Sequence, residues 1–338
     1  MTTTVATPGG ASSGSRVRLG LLLQRQGAFM ALALLIVFGI LRYGGNFATG
    51  YNLTSLTGDT AKYGLVALGM TFVIMTGGID LSVGSVVALG GVVAIKVSEH
   101  GLLPGLLAGV VAGAAVGVLN GFLITKLRLP PFIVTLATLL GIRGLALSLS
   151  HTRAAVAAPG GFQKLADWSL LGLPVAAWSM FGAFLIGAGV LRYTQWGRRV
   201  LAIGDNLDAA KLMGLPVTRT GFSVYVLSGA LAGCAGVFLA SQDGSVDTAA
   251  GQGWELSAIA AVVVGGTLLT GGVGSVLSTL VGVFLLQLIF NLIVFENGKD
   301  VINISSYWES VIRGAFLLVV VLLQVRLVKR RGAAGRPG

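Results

Sequence analysis

Charge is what this 338-residue sequence has least of: only 10% of its residues are Asp, Glu, Lys or Arg. A soluble globule carries about 25%, so that class is excluded. Acid is scarcer still, with 12 carboxylates against 23 Lys and Arg. The apolar stretches lack the several carboxylates of a proton relay, which argues against ion coupling through side chains. The single cysteine, Cys234, lies in an apolar run, which excludes a disulfide framework and a thiolate metal site. No Gly-x-x-x-x-Gly-Lys-Ser/Thr stretch occurs, so the chain does not bind ATP through the usual phosphate loop. No His, Cys or Asp cluster has metal-ligand spacing. The expectation is a chain with no cofactor of its own, no metal site and no catalytic constellation.

What is abundant is apolar surface and glycine. Hydrophobic residues make up 54% of the chain and glycines number 52, as expected where transmembrane helices pack closely. Apolar runs of about 20 residues mark spans, and ten are expected, at 24–42, 61–77, 82–98, 102–124, 131–150, 173–191, 220–240, 255–269, 275–295 and 310–326. The second and eighth are short, so the turns after them are expected below the membrane surface. Irregular backbone is tolerated there only inside protein or beside water.

With the amino terminus in the cytoplasm, 15 of the 23 Lys and Arg fall on that side. Arg42, Lys62, Lys96, Arg153, Lys164 and Lys299 fall on the other, and Arg143 and Arg313 within helices. That bias orients the chain with both termini cytoplasmic. The net charge of +11 is this topology signal, with some attraction to anionic lipid; dispersed among spans, it does not read as a nucleic-acid surface. The expected fold is an all-α polytopic membrane protein of about ten helices, two of them short and followed by Gly-rich turns. Residues 1–20 are expected to form a disordered cytoplasmic tail. A transmembrane domain over 21–328 follows, with a cytoplasmic loop at 192–219, and then a basic tail at 329–338.

The polar, glycine-rich stretch Thr76-Gly-Gly-Ile-Asp80-Leu-Ser-Val-Gly-Ser85 carries the only carboxylate deep within apolar sequence. An acid there costs roughly 2.5–3.5 kcal/mol on insertion scales. Asp80 and Ser82 offer hydrogen-bonding groups to a polar solute, or cap the third helix, and the two roles can coexist. Gly265-Gly-Thr-Leu-Leu-Thr-Gly-Gly-Val-Gly-Ser275 echoes the pattern, suggesting pseudo-symmetry around a pathway. Inside the spans, Asn120, Thr135, Thr138, Arg143, Gln287, Asn291 and Arg313 are the main polar residues. Arg143 either faces a wet pathway or pairs within the bundle; Asn120 is interhelical glue or a ligand contact. In the loop 192–219, Asn206 is a good N-cap, Leu207 to Met213 favour a helix, and Gly214 with Pro216 end it. Two turns are too short to be stable unaided, so this element needs something to dock on or a membrane surface to lie against.

Four stretches together resemble the permeases of bacterial ATP-binding-cassette importers for monosaccharides, the ribose, xylose and galactofuranose group. They are Thr76–Ser85, Leu129–Thr138 with Arg143-Gly144, Ala202–Gly214 and Gly265–Gly272. The resemblance extends over about residues 20–328. It implies a bacterial inner-membrane transport subunit that is not an enzyme. Its implied partners are a cytoplasmic ATPase that binds ATP and Mg, a periplasmic solute-binding protein, and a second permease chain, identical or paralogous. It makes the third stretch the ATPase-coupling segment, through Asn206, Asp208, Ala209, Ala210, Leu212 and Gly214. Asp80, Ser82, Asn120 and Arg143 become the expected substrate-pathway residues. Asp205 departs from a common Gly and Val273 from a frequent Arg, and the wording of Gly265–Gly272 looks most like galactofuranose-type permeases. The alternatives are an ion-coupled secondary transporter or channel, or the same architecture carrying branched amino acids, nucleosides or a signalling furanose.

Overall fold

The computed structural model describes residues 13–157, 162–247 and 249–298, and positions 308, 311, 312, 314, 315, 318, 319 and 322; for 13–26 it describes the backbone alone. In chain order the helices are α1 (Ser13–Tyr43), α2 (Gly50–Met75), α3 (Val83–Val97), α4 (Leu102–Thr125), α5 (Pro131–Leu149), α6 (Lys164–Asp167), α7 (Val175–Tyr193), α8 (Gln195–Asp205), α9 (Leu207–Leu212), α10 (Val217–Asp243), α11 (Trp254–Val264) and α12 (Val276–Asn297). Four two-residue strands form two antiparallel pairs, β1 (Ala155–Val156) with β4 (Ser245–Val246) and β2 (Ser169–Leu170) with β3 (Leu173–Pro174). Among the described residues, seven helices are long and apolar enough to cross a membrane. The chain is an all-α polytopic membrane protein. The expected span at 310–326 and the tail at 329–338 lie largely or wholly outside the described residues, and α1 starts at Ser13, inside the stretch expected as a tail.

One expectation is corrected. The second helix is not short: α2 runs for 26 residues. Its first half is polar, so hydropathy hides it. Thr49 caps it by accepting the Asn52 N–H at 3.1 Å. Thr57 and Thr60 then return their hydroxyls to the carbonyls of Leu53 and Leu56 at 2.7 and 2.5 Å, which lets a helix carry hydroxyls without stranding them. Lys62, expected at the outer start of the second span, is buried mid-helix and paired with Asp59 at 3.0 Å. The eighth span is short as expected, at 11 residues in α11.

Glycine sets the tightest contact in the bundle. Gly105, Gly109, Gly113, Gly117 and Gly121 recur every fourth residue and are all buried along one face of α4. α10 lies against the last four so closely that a Cβ on Gly113 would sit 2.8 Å from the Gly233 Cα. Small residues of this kind let helix backbones touch where lipid supplies no hydrophobic drive. α3, α10 and α12 are mostly buried, whereas α1, α4, α5 and α7 turn most of their surface outward.

Candidate functional site

The turn after α2 folds back into the bundle, and a carboxylate holds it there. Gly77 takes φ +79, a conformation that glycine alone adopts freely, and Asp80 ends up 1% exposed. One carboxylate oxygen of Asp80 accepts the Ser82 N–H at 3.1 Å and the Ser82 hydroxyl at 2.6 Å. The other accepts the Ser228 hydroxyl of α10 at 2.8 Å. Asn120 of α4 donates to the Ser82 oxygen at 2.9 Å. Ser82 occupies the N-cap position of α3 but makes no side-chain cap of its own; Asp80 supplies the acceptor instead. The Asp80 carboxylate therefore ties the start of α3 to α10, and the Ser82 hydroxyl carries the link on to α4.

Two polar atoms at this node, Asn120 Oδ1 and the Tyr225 hydroxyl, are buried with no hydrogen-bond partner. Tyr225 reaches the turn itself, since a Cβ on Gly78 would lie 2.5 Å from its oxygen. Replacing Asp80 by Ala would strand two hydroxyls and an amide, about 2–4 kcal/mol in sum. The expected outcome is a Tm about 3–6 °C lower in detergent, with Asp80→Asn losing less than half of that because it keeps an acceptor oxygen. An Asp80→Ala variant melting with the wild type would rule out the tethering role.

The second glycine turn meets the first. Gly271 and Gly272 have φ +85 and +74, and the Gly272 N–H donates to the Met75 carbonyl at 3.0 Å. A Cβ on Gly271 would lie 2.8 Å from the Gly77 nitrogen and 3.0 Å from the Gly204 Cα. Gly204 is the penultimate residue of α8, and a Cβ there would overlap the Met75 carbonyl oxygen. Three segments thus meet backbone to backbone: the end of α2, the 265–275 turn and the end of α8.

α8 occupies part of the stretch 192–219 expected as loop. Its signal was there: Thr194 accepts the Gly197 N–H at 3.1 Å, and Gly197, Val200 and Ile203 form a buried stripe at helical spacing. Trp196 anchors it by donating to the Ser223 hydroxyl at 2.8 Å and packing 5.2 Å from the Phe72 ring. α9 follows as expected. Asn206 caps it by accepting the Ala209 N–H at 2.9 Å. Gly214 ends it at φ +71, with its N–H on the Lys211 carbonyl and the Leu215 N–H on that of Ala210. Ala210 is buried, Asp208 pairs with Lys211 at 3.2 Å, and Leu212 and Met213 stand 90% and 68% exposed.

Of the four expected pathway residues, the fold brings Asp80, Ser82 and Asn120 into one cluster and leaves Arg143 apart. Arg143, on α5, donates to the Ala250 carbonyl. Ser228 and Tyr225 complete the cluster, and neither was singled out, because nothing distinguishes them in sequence from other α10 residues. Among the described residues, no group of three or more His, Cys, Asp and Glu could hold a metal ion.

The fold is a helical membrane domain whose two glycine turns meet a helix pair, α8 and α9, that lies outside its long apolar helices. The chain belongs to the family described as "Branched-chain amino acid transport system / permease component", which it matches over residues 52–321. It is 40% identical over 312 residues to the ribose import permease protein RbsC of Bacillus subtilis, covering 91% of this chain and 95% of that one. It is 37% identical over 321 residues to the L-arabinose transport system permease protein AraH of Escherichia coli, covering 94% and 95%. It is 38% identical over 286 residues to the inner membrane ABC transporter permease protein YjfF of Escherichia coli, covering 82% and 85%. No solved structure matches. The chain is a multi-pass inner-membrane protein.

Proposed function

We propose that this chain is the membrane-spanning subunit of an ATP-binding-cassette importer that brings a monosaccharide into the cytoplasm. A periplasmic binding protein delivers the sugar, and ATP and Mg are bound and used by separate ATPase subunits. The chain is a transport subunit and not an enzyme. The observation that carries the reading is α9. It is a capped, six-residue helix with Leu212 and Met213 bare at its tip, joined through Gly204 to the turns inside the bundle. A self-sufficient transporter has no use for such an element.

The family's own description names branched-chain amino acids, whereas near-full-length relatives carry ribose and arabinose names. The sugar reading rests on those relatives. The galactofuranose-like wording of Gly265–Gly272 stays a pointer to cargo within it. In this reading there are about ten spans, both termini lie in the cytoplasm, and a second permease chain, identical or paralogous, encloses the pathway. Asn206, Asp208, Ala209, Ala210, Leu212 and Gly214 form the ATPase-docking element. Asp80, Ser82 and Asn120 act on the pathway through the turn they hold, where the open valences of Asn120 and Tyr225 leave room to re-pair. Arg143 acts beside the solute.

Reconstitution tests this. The chain in proteoliposomes is expected to import nothing by itself. With ATPase and binding protein, ATP hydrolysis is expected to rise only when the binding protein is loaded with sugar. Ion-driven uptake by the chain alone would replace the importer by the secondary transporter.

A further inference from the structure

Between Val246 and Trp254 the chain dips into the bundle. Val246 packs onto α3, its Cγ2 2.7 Å from where a Gly91 Cβ would be, and further down a Cβ on Gly251 would overlap the Gly84 carbonyl oxygen. Gly84 lies 13 residues before Val97, the last residue of α3, which is about 20 Å of helix rise. From Ala249 to Gly253 the backbone is irregular, with Gly251 and Gly253 at φ +72 and +75. At membrane depth such backbone must be enclosed by protein or bathed in water. Here Gly251 and Trp254 are buried, but Asp247, Ala249 and Gln252 are exposed. A carboxamide exposed at that depth, with the Asp247 carboxylate about 10 Å nearer the end of α3 beside Val246, does not face hydrocarbon. Such a face is turned to water or to other protein.

α5 supplies the rest of that face. The Arg143 guanidinium holds the Ala250 carbonyl, and Glu255 follows five residues later in the first turn of α11. Glu255 is fitted against α3, its Oε2 2.5 Å from where a Gly84 Cβ would be. Next to Arg143 in sequence, Gly141 and Gly144 are exposed, and a Cβ on either would meet nothing within 4 Å, so α5 is uncovered by this chain at that level.

We propose that Asp247, Gln252 and Arg143, backed by Glu255, form a contact station for a neutral polyhydroxylated sugar inside the translocation pathway. The chemistry fits a polyol: Asp247 accepts, Arg143 donates, and the Gln252 amide does both, so hydroxyls in either sense find partners. Two carboxylates against one guanidinium disfavour an anionic cargo such as a sugar phosphate. The proposal rests on the sugar-importer reading and deepens it.

The test uses the assembled complex with its ATPase and binding protein, in a Cys234→Ala background. Gln252→Cys and Asp247→Cys are expected to react with a charged, membrane-impermeant thiol reagent, and sugar is expected to slow that labelling during turnover. Phe132→Cys, on the outward face of α5, is expected to stay unreactive. The probes are D-ribose, L-arabinose and D-galactose. Gln252→Ala is expected to raise the KM for sugar import about fivefold, the worth of one hydrogen bond, with the maximal rate nearly unchanged. Absent labelling, or labelling that sugar does not slow, in a complex whose wild type imports sugar would overturn the station alone. A wild-type complex that imports none of the three sugars would sink the importer reading, and the station with it.

Discussion

Leu212→Asp is expected to abolish capture of the ATPase and sugar import together, in a chain that still folds. Leu212 is 90% exposed and touches no core, so a charge there costs the permease fold almost nothing. Single exposed leucines are ordinary on soluble surfaces. Leu212 and Met213 instead sit side by side at the tip of a six-residue helix that has no stability of its own. Apolar anchors that fill a partner's pocket carry about 2 kcal/mol or more each, roughly a thirtyfold change in affinity, and a buried carboxylate in their place adds a further penalty. Asn206→Ala acts differently. It removes the acceptor for the Ala209 N–H, about 1 kcal/mol of helix capping, and is expected to weaken capture about fivefold through fraying of α9. Titration of ATPase onto the permease in nanodiscs measures both. An unchanged dissociation constant for Leu212→Asp would remove α9 from the interface.

The second large effect is expected at Gly204. A Val there keeps α9, its cap and its apolar tip, so ATPase binding is expected to persist within about threefold. Transport is expected to fall at least tenfold, because the branched side chain has nowhere to go. Its Cβ would overlap the Met75 carbonyl oxygen and crowd the Gly272 nitrogen, and neither backbone group can turn aside as a flexible side chain would. α8 must lift away, breaking its seat on the ends of α2 and of the 265–275 turn. The signature is uncoupling: ATP hydrolysis continues but no longer responds to the loaded binding protein. Hydrolysis that still rises with loaded binding protein, alongside normal uptake, would show that the junction does not transmit the stroke.

Much of this arrangement is legible in the sequence wherever apolarity alone decides. α3, α4 and α5 fall within a residue of their expected bounds, and α7 within two, because each is an uninterrupted apolar run between polar turns. The legibility fails where helices are not apolar. The first half of α2 reads as loop, since its stability lies in hydroxyls returning to carbonyls one turn back. α8 is missed because a surface helix shows itself as a stripe rather than a run. The dip at 247–253 has no hydropathy signal at all. What places it there is contact between Gly84 and Gly251, 167 positions apart, and pairwise closeness of that kind is not encoded in local pattern. The candidate site divides the same way. Asp80, Ser82 and the cap at Asn206 announce themselves through residue type and neighbours. Ser228 and Tyr225 are defined only by the packing of α10 against α3 and α4.

The junction of Met75, Gly204 and Gly272 has one more consequence. Contacts made by side chains are compliant: rotamers shift and absorb a few tenths of an ångström before anything beyond them moves. Here the contact surfaces are peptide groups, one of them closed by the Gly272 N–H on the Met75 carbonyl, and there is no soft layer between them. A push on α8 therefore reaches both glycine turns at once and undiminished. In the proposed importer, the turn that positions α3 and the turn that precedes α12 are thus geared to a single shaft, and a stroke arriving through α8 moves them in phase rather than in sequence.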